Sequence, residues 1–153
     1  MKNLYYYLVF LSPFYLSISF AQNVTVSGAL TGNGGYSTLS EAFTGISGGQ
    51  TGANILITIN GSFTEIAPAS LASNSWTSVA IQPASGVAVT ITTAFDLLLE
   101  FNGADNVTVD GLNSGGSSLT LDCQSINSIA STVKFINDAL YNTVTRCILY
   151  RLS

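Results

Sequence analysis

Residues 101–109 read FNGADNVTV, and 35 positions further on residues 136–144 read INDALYNTV. Asn102 falls on Asn137, Ala104 on Ala139, Thr108 on Thr143 and Val109 on Val144. Continuing the alignment sets apolar Leu112 on apolar Cys147. An internal period of about 20 to 50 residues belongs to stacked architectures, in which each unit buries its apolar face against its neighbours. One such period holds three short strand patterns: NVTVDGL (106–112), SLTLDC (118–123) and TVKFIN (132–137). Successive strand residues point to opposite faces, so Val107 and Val109 point inward and Thr108 outward. Asn, Asp and Gly punctuate the strands, where a corner needs left-handed or otherwise unusual backbone.

The earlier sequence has the same texture. ILITI (55–59), SVAIQ (78–82), VAVTITT (87–93) and LLLEF (97–101) are β-rich and bounded by turn residues, and NTVTRCILY (142–150) closes the series. The expected fold class is therefore all-β: a right-handed parallel β-helix, a solenoid, over residues 22–153. Only TLSEAFTGI (38–46) has helical periodicity, with Leu39, Ala42, Phe43 and Ile46 on one stripe. Thr38 and Glu41 are spaced as a capping box, and the short one-sided helix is expected to cap the first coil.

Residues 1–21 are a separate object. Lys2 precedes the apolar run LYYYLVFL (4–11), Pro13 interrupts it, and Ser19-Phe20-Ala21 supplies a small-x-small site. That pattern is a secretory signal peptide, with cleavage expected between Ala21 and Gln22. The apolar run is too short for a span of about 20 residues, so no membrane span is expected after its removal. Secretion or a cell-surface location follows from the signal.

Charge narrows the function. Only 8% of residues are charged and there is no histidine. Residues 22–153 carry three bases against eight acids, a net charge of −5. With no basic patch to meet phosphates, nucleic acid is not an expected partner. The missing histidine removes the commonest general base and the commonest metal ligand. Cys123 and Cys147 lie 24 positions apart, off the 35-residue period, so they are expected to be unbonded.

At these residues the chain resembles the secreted right-handed β-helix proteins of the pectin-lyase-like superfamily. GYSTLSEAFTGI followed by ANILITINGSFTE is similar to the entrance of pectinesterase-like β-helices. There a helix caps the first coil and a strand leads to a G-x-Y-x-E turn, here Gly61-Ser62-Phe63-Thr64-Glu65. NVTVDGL is similar to a recurring coil strand of that superfamily. The signal ending SISFAQ and the repetitive style resemble surface and secreted proteins of Bacteroidetes.

What the resemblance implies for chemistry is limited. No segment matches the catalytic motifs of pectinesterase-like enzymes, and polygalacturonase-like sites need a histidine, so no catalytic residue and no cofactor is assigned. Lyase-like sites gather carboxylates around calcium, which makes Asp105 and Asp110 the conceivable metal pair; the competing role is local backbone hydrogen bonding at corners. Glu65 and Glu100 are read as solvated turn residues rather than a catalytic carboxylate pair. Trp76, in the loop-like SNSWTS, is the candidate for stacking on a sugar ring, against a competing place in the core.

The expected function is that of an exported non-enzymatic β-helix, a structural, adhesin-like or carbohydrate-binding segment whose partner is an extracellular polysaccharide or cell-surface glycan. The alternative is the N-terminal portion of a polysaccharide lyase or pectinesterase-like enzyme with its site on later coils. RCILYRLS (146–153) ends on an apolar strand with no cap after it, so a stack truncated at its C-terminal end is expected.

Overall fold

The computed structural model describes residues 22–152. The expected signal peptide and its expected cleavage after Ala21 lie outside the described residues. Asn54–Ile59 (β3) shows how this sequence makes a strand. Ile55, Ile57 and Ile59 are at most 2% exposed, while Asn54, Leu56 and Thr58 alternate to the other face. Branched side chains suit such a pleated, half-buried surface.

Phe63–Thr64 (β4) and Ala69–Ala72 (β5) follow, each in a different sheet. Ser78–Pro83 (β6) then pairs in parallel with β3, Ala88–Thr93 (β7) with β4, and Leu97–Asn102 (β8) with β5. Val107–Asp110 (β9), Ser118–Cys123 (β10) and Ser131–Ile136 (β11) repeat the cycle, and Thr143–Thr145 (β12) and Ile148–Arg151 (β13) begin another. Every strand from β6 onward thus pairs with the strand three before it. The protein is mostly β, with parallel sheets of four and three strands, a six-stranded sheet that is parallel from β3 to β12, and one short helix. Among the described residues no sheet closes into a barrel.

The start of the chain departs from this order. Val24–Ser27 (β1) runs antiparallel to β3, and Gly34–Tyr36 (β2) runs antiparallel to β1. A six-residue connection suffices for that hairpin, whereas a parallel return needs a dozen or more residues. Strands β2 and β4 carry no readable alternation, because β2 is mostly glycine and β4 has two residues, whereas β5 buries Ala69 and Leu71 and turns Ser70 and Ala72 outward.

The 35-residue period is local rather than general. It holds between β9 and β12, where Thr108 faces Thr143. Elsewhere Asn54 faces Ser78, Val79 faces Val107 and Ala88 faces Ser118, steps of 24, 28 and 30 residues. Between β8 and β11 the step is 34, from Asn102 to Ile136. The extra residue enters at the following corner, where Asn137 and Asp138 both take left-handed backbone (φ 55° and 56°) above the single left-handed Gly103 (φ 68°).

Leu39–Gly45 (α1) packs on β5, β1 and β2. Leu39, Ala42, Phe43 and Ile46 are at most 3% exposed, so the expected stripe is the buried one. The Thr38 hydroxyl accepts from the Glu41 N–H, but the Glu41 carboxylate accepts from the Ser37 N–H rather than that of Thr38. The expected capping box is therefore shifted by one residue on its return arm.

The core runs continuously from Val24 to Leu121. Over the last pass it opens: Phe135 is 46% and Leu149 50% exposed. Both cysteines are free thiols. Cys123 ends β10 opposite Arg151, and Cys147 lies between β12 and β13, where burial pushes its thiol above the usual range.

Candidate functional site

The first turn of α1 leaves backbone N–H groups without helical partners. Glu65, just after β4, supplies the acceptor. Its Oε1 accepts from Leu39 N at 2.7 Å and Ser40 N at 3.3 Å, and its Oε2 from the Ser40 hydroxyl at 2.8 Å. The side chain is 1% exposed, so it is a buried helix cap and not the solvated turn residue expected. Burial outweighs these donors and holds its carboxyl above the ordinary range. The sequence signal was available only as Glu65 itself, since its partners lie 25 and 26 residues earlier.

Beside this cap lies a shallow groove of about 550 Å³ lined by Tyr36, Ser40, Glu41, Thr44, Ile66 and Ala67. Tyr36 is anchored through its hydroxyl to the Gly32 carbonyl at 2.8 Å. Ile66 is 72% exposed along the wall. The groove is mostly apolar with the Glu41 carboxylate near it, which suits contact rather than proton transfer. The Glu65 carboxylate is sealed behind Ser40 and cannot reach a ligand there. Glu100 faces outward on β8, accepting from the Ser70 hydroxyl at 2.9 Å, so the two glutamates build no common site.

Trp76 is 6% exposed and belongs to the core, with its indole N–H donating to the Asp105 carbonyl at 2.7 Å. This is the competing place in the core that the sequence also offered. The physical reason is that the following pass brings an acceptor to its one polar atom, letting the rest of the indole bury.

Asp105 and Asp110 are likewise occupied. Asp105 accepts from Leu140 N at 2.6 Å, on the next pass. Asp110 accepts from Leu112 N at 2.9 Å and is bridged by both Arg146 Nε and the guanidinium NH2. Arg146 holds the Asp110 carboxyl below its ordinary range. Both aspartates thus make the corner hydrogen bonds of the competing role, and among the described residues no three of His, Cys, Asp and Glu gather as a metal site.

Sequence reasoning also passed over Asn142 and Gln50. Asn142 accepts from Val107 N and donates to the Ala104 carbonyl, joining two passes through one side chain. Gln50 is fully buried and ties Leu30 and Thr31 to the Ile46 carbonyl at the end of α1. Their identity as Asn and Gln in a polar sequence carries no such signal.

The outer face of the four-stranded sheet presents hydroxyls in rows. Thr64, Thr90, Thr92, Ser118 and Thr120 alternate with buried Val89, Ile91, Leu119 and Leu121. Thr90 stands opposite Thr120, and the Thr64 and Thr92 hydroxyls are 2.8 Å apart. Such rows repeat at the strand spacing of about 4.8 Å. No family model, curated protein or solved structure matches the chain, and nothing in these comparisons identifies the pectin-lyase-like superfamily.

Proposed function

We propose that this chain is a non-enzymatic right-handed parallel β-helix, exported from the cell, that presents its hydroxyl-bearing sheet to an extracellular polysaccharide or cell-surface glycan. The cyclic order in which β6 to β13 each pair in parallel with the strand three before supports the β-helix reading, and the residue pattern before Gln22 supports export. The observation that carries the binding role is the array of Thr64, Thr90, Thr92, Ser118 and Thr120 on one face. Regularly spaced hydroxyls match the hydrogen-bonding groups of an extended sugar chain without demanding a deep pocket.

Affinity electrophoresis through gels containing pectic and other envelope polysaccharides tests this reading. The expected result is retarded migration on at least one polymer, relieved in a Thr90→Val, Thr120→Val double variant, with no new reducing ends or unsaturated products. Unretarded migration on every polymer sinks the binding role. Turnover of a polymer by the purified chain sinks the non-enzymatic reading.

A further inference from the structure

Paired positions on parallel strands share a face, so register gives the order of side chains across the four-stranded sheet. Thr64 on β4 stands beside Thr92 on β7, Thr92 beside Asp122 on β10, and Asp122 beside Tyr150 on β13. On β10 the neighbours Leu121 and Cys123 are fully buried, so Asp122 belongs to the outward set with Ser118 and Thr120. The row therefore runs hydroxyl, hydroxyl, carboxylate, phenol ring, one step per strand at about 4.8 Å. Tyr150 faces sideways with the rest of the row, so a strand paired along β13 would leave its ring open on this face.

Among the described residues Asp122 is the one charged side chain at the outward strand positions of this sheet. One carboxylate oxygen accepts from Gln124 Nε2 at 3.1 Å, and no base pairs with it. The three described bases are directed elsewhere. Arg146 is bridged to Asp110, the last residue of β9 in the six-stranded sheet. Lys134 sits on β11 in the three-stranded sheet, in register with Glu100. Arg151 is on β13, but it registers with inward Cys123 and donates to the Asn127 and Ser128 carbonyls at 3.2 and 2.9 Å. The face thus offers hydroxyls, a carboxylate and a ring, with no cation among them.

Recognition of a carboxylate or sulfate on a sugar draws on Arg or Lys, whose N–H groups match the anion. Here such an anion would meet Asp122 uncompensated, and like charges brought together cost binding free energy. An uncharged sugar has hydroxyl donors for the Asp122 carboxylate and an apolar ring face for Tyr150. We propose that the ligand of this face is an extended neutral polysaccharide, bound along Thr92, Asp122 and Tyr150, and that Asp122 excludes polyuronates and sulfated chains. This rests on the glycan-binding reading above and narrows it to one class of polymer.

Affinity gels run in matched pairs test the choice: a glucan, a galactan and a mannan, each beside its counterpart oxidised to carboxylate at the primary alcohols. A chelator is present throughout, so that no metal bridges two carboxylates. At least one neutral polymer is expected to retard the chain, and its carboxylated counterpart to bind at least about ten-fold more weakly. Asp122→Asn keeps the shape and removes the charge; it should weaken neutral binding and narrow that gap. Asp122→Lys should reverse the preference, and Tyr150→Ala should weaken neutral binding about ten-fold. Variants are compared once each gives the parent's circular dichroism. A carboxylated polymer bound as tightly as its neutral counterpart overturns the proposal and leaves glycan binding standing. A gap unchanged in folded Asp122→Asn does the same. Unretarded migration on every polymer, neutral and carboxylated, overturns it together with the glycan-binding reading.

Discussion

The rings of Phe101 and Phe135 lie 5.2 Å apart, tilted by 31°, at the same register position on successive passes. Phe101 is fully buried beneath its neighbour, and Phe135 is 46% exposed above it. Position within the stack therefore sets what each phenylalanine contributes. Phe101→Ala should cost about 3–5 kcal/mol, the range for emptying a buried aromatic site. Phe135→Ala should cost about 0.5–1.5 kcal/mol, chiefly the aromatic pair. Urea unfolding followed by Trp76, the one tryptophan, measures both. Equal costs would contradict the exposed position of β11.

Gly111 is set by the pass above it. A Cβ there would lie 2.2 Å from the Arg146 carbonyl oxygen, which is backbone and cannot swing away. Gly111→Ala should destabilise by about 1–3 kcal/mol through overpacking. Gly49 has nothing within 4 Å of an added Cβ. Gly49→Ala should be neutral or stabilise by up to about 1 kcal/mol through the unfolded chain. Thermal melts of the two variants are expected to move apart, and a Gly111→Ala melt at the parent temperature would refute this close approach of the passes.

Glu65 gives the fold a pH dependence of unusual sign for a carboxylate. Burial raises its folded-state pKa above the ordinary carboxylate range. Folding then favours the protonated form, so this contribution is fully present below the unfolded pKa and is lost as pH rises through the folded value. Glu65→Gln keeps a carbonyl acceptor for Leu39 and Ser40 and has no proton to lose. The stability of the parent relative to Glu65→Gln should fall as pH rises from about 4, the carboxylate range, toward neutrality. Denaturation at a series of pH values reads this directly, and a parent that gains on the variant over that range would reverse the assignment.

Asn142 should matter more than its half-exposed place suggests. Its amide accepts from Val107 N at 2.9 Å and donates to the Ala104 carbonyl at 2.7 Å. Asn142→Ala leaves both groups on the lower pass without these partners, at a cost of about 1–3 kcal/mol. Hydrogen exchange should show faster exchange at the Val107 amide in that variant. Unchanged protection there would mean that Asn142 does not join the passes.

The amino-acid sequence by itself determined that the long alternating segments become strands and which face of β3, β7 and β10 is buried. NILITI, AVTITT and SLTLDC alternate branched apolar residues with small polar ones, and that period of two allows one inward set. It likewise determined the stripe of α1, and the likeness of 101–109 to 136–144 gave the pairing of β9 with β12. The tertiary structure alone decided the rest. Steps between passes run from 24 to 35 residues because corner loops, not strands, set the length of each pass, so one aligned pair could not supply the period. Two-residue β4 exists only because β7 lies beside it, and β1 reverses direction to meet β3. Glu65, Trp76, Asp105 and Asp110 were read as polar or exposed from their types, but burial and pairing depend on what distant segments bring to each side chain. The helix N-terminus reaches Glu65, the Asp105 carbonyl reaches Trp76, and the pass above reaches both aspartates. Local pattern encodes a residue's own preference, whereas its partners are fixed by contacts across 25 to 36 positions that no local period records.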